Sequence, residues 1–218
     1  FEAGVKEVAL IEEPIAAAIG AGLRVAGARG SMIIDIGGGT TEVAVISLGG
    51  IAVSKSIKIA GDELDSAIVK YMKDRRGLLI GDTTAEMLKK HIGSVHPDAD
   101  RGSMKVYGRS VRSGLAAEMT VHSREIREAL VEDAEQIVNA VKEALEDTPP
   151  ELSADIYDLG IMLTGGGAML AGLPALISEN TGLRVTVAKR PVESVCRGIG
   201  RVIESTGIYS GAVRFRQR

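Results

Sequence analysis

Apolar and polar positions along the chain switch repeatedly between a period of two and a period near 3.6, as expected where strands alternate with helices. Val8, Ala9, Leu10 and Ile11 form an apolar run within Lys6–Ile11 that predicts a short buried strand. It stops at Glu12-Glu13-Pro14, and the Ala-rich stretch Ile15–Ala21 predicts a helix. Met32–Ile36 is apolar except for Asp35, Gly37-Gly38-Gly39 interrupts it, and an alternating β-branched run begins at Thr41, giving strand, tight turn and strand. Gly49-Gly50 reads as a hairpin turn and Ile51–Ile59 as a third antiparallel strand. Leu64, Ala67, Ile68, Tyr71 and Met72 recur at helical spacing, and a helix over Thr83–Ile92 turns Ala85, Leu88 and Ile92 inward and Glu86, Lys89 and Lys90 outward. Met104, Val106, Val111 and Met119 fall in short strands.

The clearest periodic stripe follows: Ile126, Leu130, Ala134, Ile137, Val141 and Leu145 on a long helix, with Ser123 as its N-cap and Pro149-Pro150 as its stop. Ile161–Leu163 is an apolar strand that runs into a second triglycine, Gly165-Gly166-Gly167, and then a helix near Pro174. Val185–Val187 is another strand, Val192–Ile203 a last helix, and Arg214, Arg216 and Arg218 a basic tail expected to be frayed. The order predicts an α/β fold, a mixed sheet covered by helices.

Composition narrows the function. The chain has 218 residues, 45% hydrophobic and 25% charged, enough for a substantial core. A net charge of −3 and 3% aromatics argue against a dedicated nucleic-acid binder. One cysteine, Cys196, forbids an internal disulfide and suits a reducing compartment. No apolar run approaches the roughly 20 residues of a membrane-spanning helix, and no signal peptide opens the chain. A Walker loop, a Rossmann fingerprint and a G-x-S-x-G elbow are absent, and His91, His96 and His122 make no zinc set.

The two triglycines carry the candidate chemistry. Three successive glycines bring backbone N–H groups close to a ligand with no Cβ in the way, which suits a polyphosphate. Asp35 at the strand end can hold a hydrated Mg²⁺, and Thr40 and Thr41 can offer hydroxyls. A Gly-rich hairpin whose aspartate caps its own turn is the alternative. Glu12-Glu13-Pro14 is likewise either an ordinary helix start, proline in the first turn and acids at the positive end of the dipole, or a carboxylate facing a cleft and orienting water.

The runs Leu10-Ile11-Glu12-Glu13-Pro14-Ile15-Ala16-Ala17-Ala18-Ile19-Gly20, Asp35-Ile36-Gly37-Gly38-Gly39-Thr40-Thr41-Glu42, Gly61-Asp62, Thr84-Ala85-Glu86 and Leu163-Thr164-Gly165-Gly166-Gly167-Ala168 resemble the actin/sugar kinase/heat-shock ATPase superfamily. In detail they resemble the MreB family of bacterial actin homologues. The resemblance implies an actin-like, ribonuclease H-like ATPase fold and the cofactors ATP and Mg²⁺. It makes Asp35 the aspartate that meets Mg²⁺ through water. Gly37, Gly38, Gly39, Thr40 and Thr41 would form a phosphate loop, and Glu13 with Thr40 would place the attacking water. Gly165, Gly166, Gly167 and Ala168 would line the adenosine, Glu86 and Lys89 the opposite wall, and Gly61, Asp62 and Glu63 the ribose side.

The implied protein forms homopolymer filaments in the cytoplasm at the inner face of the membrane, shapes rod cells and works with cell-wall elongation proteins, without nucleic acid. The superfamily's first phosphate loop has no counterpart before Phe1. The resemblance thus implies a first lobe reduced to residues 1–30, a second-lobe core over 31–61 and 122–190, an inserted subdomain over 62–121, and a final segment, 191–218, returning to the first lobe. Slow ATPase activity is expected of the full-length protein and impaired hydrolysis of this chain. A chaperone ATPase and a small-molecule kinase of the same superfamily are the alternatives.

Overall fold

The computed structural model describes residues 4, 7–205 and 207–217. Its elements are β1 (Glu7–Ile11), α1 (Glu13–Ala21), β2 (Ser31–Ile36), β3 (Thr41–Ser47), β4 (Gly50–Ile57), α2 (Gly61–Arg76), β5 (Leu78–Leu79), α3 (Asp82–Ile92), β6 (Ser103–Ser110), β7 (Ala116–His122), α4 (Ser123–Glu146), α5 (Pro150–Leu159), β8 (Ile161–Thr164), α6 (Leu173–Thr181), β9 (Val185–Val187), α7 (Ser194–Glu204) and β10 (Val213–Gln217).

A five-stranded mixed sheet, order β4-β3-β2-β8-β9, forms the centre. β2, β8 and β9 run parallel, whereas β3 and β4 are antiparallel hairpin additions. Because strand side chains alternate, β2 feeds two cores. Met32, Ile34 and Ile36 join Leu130, Ile137 and Val141 of α4 and Leu64 and Ile68 of α2 on one face. Ile33 joins Ala44, Ile46 and the α1 residues Ile15, Ala18 and Ile19 on the other. A second, three-stranded sheet, β5-β6-β7, lies beside α2 and α3.

α1 and α7 cross at very short range. A Cβ on Gly20 would stand 2.6 Å from the carbonyl carbon of Ser194, and one on Gly198 2.6 Å from that of Ala16, so only glycine fits at either crossing point.

Several expectations need correction. β1 is not buried: Leu10 is 48% exposed, and among the described residues the strand pairs with β10 alone in a two-stranded ribbon. The basic tail is not frayed at Arg214 and Arg216, which pair with Leu10 and Val8; Lys6 and Arg218 lie outside the described residues. Val111 sits in the exposed turn after β6 rather than in a strand. Ser123 does not cap α4. It is the helix's first residue, its hydroxyl donates to the Ile92 carbonyl at 2.5 Å, and Glu125 accepts the His122 N–H at 2.8 Å instead. Pro149-Pro150 ends α4 but also begins α5, since proline in a first helical turn loses no hydrogen bond.

Candidate functional site

β2 and β8 are adjacent and parallel, and both reach the same edge of the sheet with a glycine turn: Gly37–Thr40 after β2, Gly165–Gly167 after β8. In open α/β sheets that carboxyl edge is where ligands lie. A cleft of about 810 Å³ opens there, lined among others by Glu13, Asp35, Gly37, Gly38, Gly61, Asp62, Glu86, Lys89, Gly165, Gly166 and Gly167. Residues from five separate sequence segments therefore meet in one cavity.

The glycines have different duties. The Gly37 N–H closes its turn on the Thr40 carbonyl (2.9 Å), and the Gly37 and Gly38 carbonyls accept from Gly61 and Asp62 (3.1 and 2.8 Å), tying α2 to the turn. Among the described residues the N–H groups of Gly38, Gly39 and Gly166 have no protein partner. Gly165 has φ +80°, and a Cβ there would lie 2.5 Å from Asp35 Oδ1; one on Gly167 would lie 2.8 Å from Ile36 Cβ. Both are glycine because the second turn rests directly on the end of β2. Nothing lies within 4 Å of a Cβ placed on Gly166, which faces the cavity.

Asp35 shares its face of β2 with Ile33, which brings it toward the start of α1, where Glu13 stands. Asp35 is 8% exposed and its carboxylate accepts no hydrogen bond among the described residues. Burial pushes its carboxyl up to about 6, helped by the negative charges of Glu13 and Glu42. Burial and the charges of Glu13 and Glu12 raise Glu42 as well. Among the described residues no lysine or arginine pairs with these carboxylates, an arrangement that binding a positive ion would relieve. No three metal-ligating side chains among the described residues cluster closely enough to cage one. A hydrated Mg²⁺ fits this donor set, since it uses one or two carboxylates, several waters and the phosphates of its nucleotide.

Other expected residues are placed differently. Thr41 is fully buried and its hydroxyl donates to the Ile59 carbonyl at 2.6 Å, so it has none to offer a ligand. Thr40 is exposed in the first turn, and among the described residues its hydroxyl is unpaired. Ala168 packs into the core rather than the cavity. Glu63 is absent from the lining and its charge acts on Asp133 of α4. Lys89 does not point outward: only 15% exposed, it donates to Asp65 Oδ2 (2.8 Å) and to the Gly61 carbonyl (2.6 Å). Glu86 pairs with Lys90 one turn on at 2.7 Å.

The cavity also contains Asp65, Arg101, Met169, Leu170, Val192 and Val195, none singled out by sequence. Asp65 Oδ1 is buried without a partner among the described residues, an acceptor left for a ligand hydroxyl. Its place three residues after Asp62 on one helix was the only available signal.

Residues 1–210 match the family model of the MreB/Mbl proteins. The chain belongs to the MreB/Mbl family. It is 51% identical over 209 residues to the cell shape-determining protein MreB of Escherichia coli K12, covering 96% of this chain and 60% of that protein. Crystal structures of MreB5 of Spiroplasma citri bound to ADP and to AMPPNP superpose with TM-scores of 0.87 at 40% identity, covering 89% and 90% of this chain and 59% of theirs. The MamK double helical filament, at 23% identity and a TM-score of 0.72, shares the actin-like fold over 88% of this chain and 58% of its own. The chain thus spans about 60% of the length of the curated MreB it matches.

Proposed function

We propose that this chain is the nucleotide-binding second lobe of an ATP-dependent, filament-forming protein that determines cell shape by organising cell-wall synthesis at the inner face of the membrane. The carrying observation is the pair of glycine turns that bring three unpaired N–H groups and a desolvated Asp35 to one cleft. The nucleotides in the MreB5 structures and the cell-shape role in the MreB name support it. In this reading residues 31–61 and 122–190 form the second-lobe core, 62–121 an inserted subdomain, and 1–30 and 191–218 the part that joins a first lobe.

The free N–H groups of Gly38 and Gly39 receive the terminal phosphates and that of Gly166 approaches the nucleoside. Asp65, held by Lys89, offers its free oxygen to a ribose hydroxyl. Asp35 is the residue that would hold a hydrated magnesium ion, which would offset phosphate charge. Glu13 and the Thr40 hydroxyl flank the position of one water, and phosphoryl transfer asks little more of a protein than such positioning and charge neutralisation. The γ-phosphate then biases lobe closure and subunit contacts, so that hydrolysis times assembly. Hydrolysis by these 218 residues alone is weak, because a first lobe would supply the rest of the phosphate clamp.

The test uses the complete native protein. ATP-dependent sedimentation is expected, with turnover that no added sugar or acid accelerates. Glu13→Ala is expected to keep nucleotide binding and slow turnover. Turnover that requires a small-molecule acceptor would refute the reading, as would loss of nucleotide binding in Glu13→Ala for the role of that residue.

A further inference from the structure

Among the described residues the lysines and arginine that line the cleft are engaged with one exception. Lys89 is committed to Asp65 and the Gly61 carbonyl, and Lys90 to Glu86. Arg101 lines the same cavity, is exposed, and among the described residues has neither a hydrogen bond nor an ion pair. It is the cation left over for a ligand.

Its position is fixed by the residues before it. Ser94 bridges to Ala171, the Val95 N–H donates to the Ala171 carbonyl at 2.9 Å, and Ser94 Oγ donates to Asp100 Oδ1 at 2.6 Å. Arg127 of α4 clamps the same carboxylate, Nε to Oδ1 at 3.2 Å and Nη2 to Oδ2 at 3.3 Å. A Cβ on Gly172 would touch the His96 nitrogen at 2.8 Å, so the loop carrying Arg101 lies directly on the segment after Leu170. The chain from Gly165 to Gly172 therefore starts beside Asp35 and ends beside this loop. The phosphate-binding features stand at the first end, and Arg101, with the apolar Met169 and Leu170, at the second.

We infer that Arg101 determines nucleotide affinity by laying its guanidinium over the purine face of the bound nucleotide, at the end of the cleft that also presents Met169 and Leu170. A guanidinium is planar, weakly hydrated and permanently charged, which suits stacking on an aromatic ring as an ammonium does not. The inference rests on the nucleotide reading above.

The test compares Arg101→Ala and Arg101→Lys with the unmutated complete protein, measuring Kd for ATP, ADP and inorganic tripolyphosphate and the fluorescence of bound ethenoadenosine diphosphate. Arg101→Ala is expected to weaken ATP and ADP by one common factor, about 5- to 30-fold, to leave tripolyphosphate unchanged, and to alter the ethenoadenosine signal. Arg101→Lys should recover only part of the loss. Melting without nucleotide should not move, because the side chain has no partner to lose. Unchanged nucleotide affinity would overturn the inference, and so would a loss that is larger for ATP than for ADP, which marks a phosphate contact. Absence of nucleotide binding by the unmutated protein would instead refute the nucleotide reading, and this inference with it.

Discussion

Alanine replacements through Gly165-Gly166-Gly167 should separate packing from ligand binding one residue at a time. At Gly165 the φ of +80° costs an alanine about 1–2 kcal/mol. The new Cβ also overlaps the Ile36 carbonyl and stands 2.5 Å from Asp35 Oδ1, groups at the end of a central strand that cannot retreat, an overpacking cost of about 1–3 kcal/mol. Reduced freedom of the unfolded chain returns about 0.4–1 kcal/mol. The balance is a loss of about 1–5 kcal/mol, centred near 3, or a Tm lower by roughly 5–15 °C at that centre for a chain this long. Gly167→Ala meets the fully buried Ile36 side chain, with the Ile36 carbonyl oxygen at 3.3 Å, and should lose about 1–3 kcal/mol. Gly166 already has helical angles (φ −65°, ψ −37°) with open space where a Cβ would go, so Gly166→Ala should melt at or slightly above the parent. Its methyl would instead occupy ligand space and reduce the Tm gain given by nucleotide. Melts followed by circular dichroism with and without ATP read both effects. A Gly165→Ala protein as stable as the parent, or three equal variants, would refute the assignment of separate duties.

Three further outcomes follow from single contacts. Asp35 has a folded pKa near 6 against an ordinary 3.8, so its ionised form destabilises the nucleotide-free fold, fully above pH 6 and not at all below about pH 3.8. Asp35→Asn should therefore raise stability at pH 7.5 by about 2–3 kcal/mol, lose that advantage as pH falls toward 4, and weaken Mg²⁺-dependent nucleotide binding; an advantage over the parent no larger at pH 7.5 than at pH 4 would contradict this. Lys89→Met strips Asp65 and the Gly61 carbonyl of their shared donor and should cost about 1–3 kcal/mol, with Asp65→Asn restoring part of it in a double-mutant denaturation series. Gly198→Ala drives a methyl into the Ala16 carbonyl and should cost about 1–3 kcal/mol by thermal melting, whereas Gly200→Ala, two residues on in the same helix with open space around it, should melt at or slightly above the parent.

Most of the architecture was legible because it is written locally. The apolar run through Met32–Ile36, its triglycine stop and the second strand–triglycine unit at Ile161–Gly167 place the sheet, the edge and the two turns without knowledge of any partner. What escaped depends on partners. Thr41 and Thr40 are neighbours with the same hydroxyl, and only the carbonyl of Ile59, 18 residues away from Thr41, decides that one is structural and the other free. Lys89 lies on a helix face that reads as solvated until Asp65 of α2 is laid against it. β1 reads as buried because Val8–Ile11 is apolar, but burial is set by what flanks a strand, and its partner among the described residues is β10, some 200 residues later. Arg101 sits in a polar stretch with no periodicity at all, and becomes a candidate ligand only when each other lysine or arginine in the cleft is seen to be engaged. A backbone motif can be read from one segment because its chemistry is carried by N–H groups that every residue has. A side chain's availability is a difference between its charge and the charges folded against it, and that difference exists only in three dimensions.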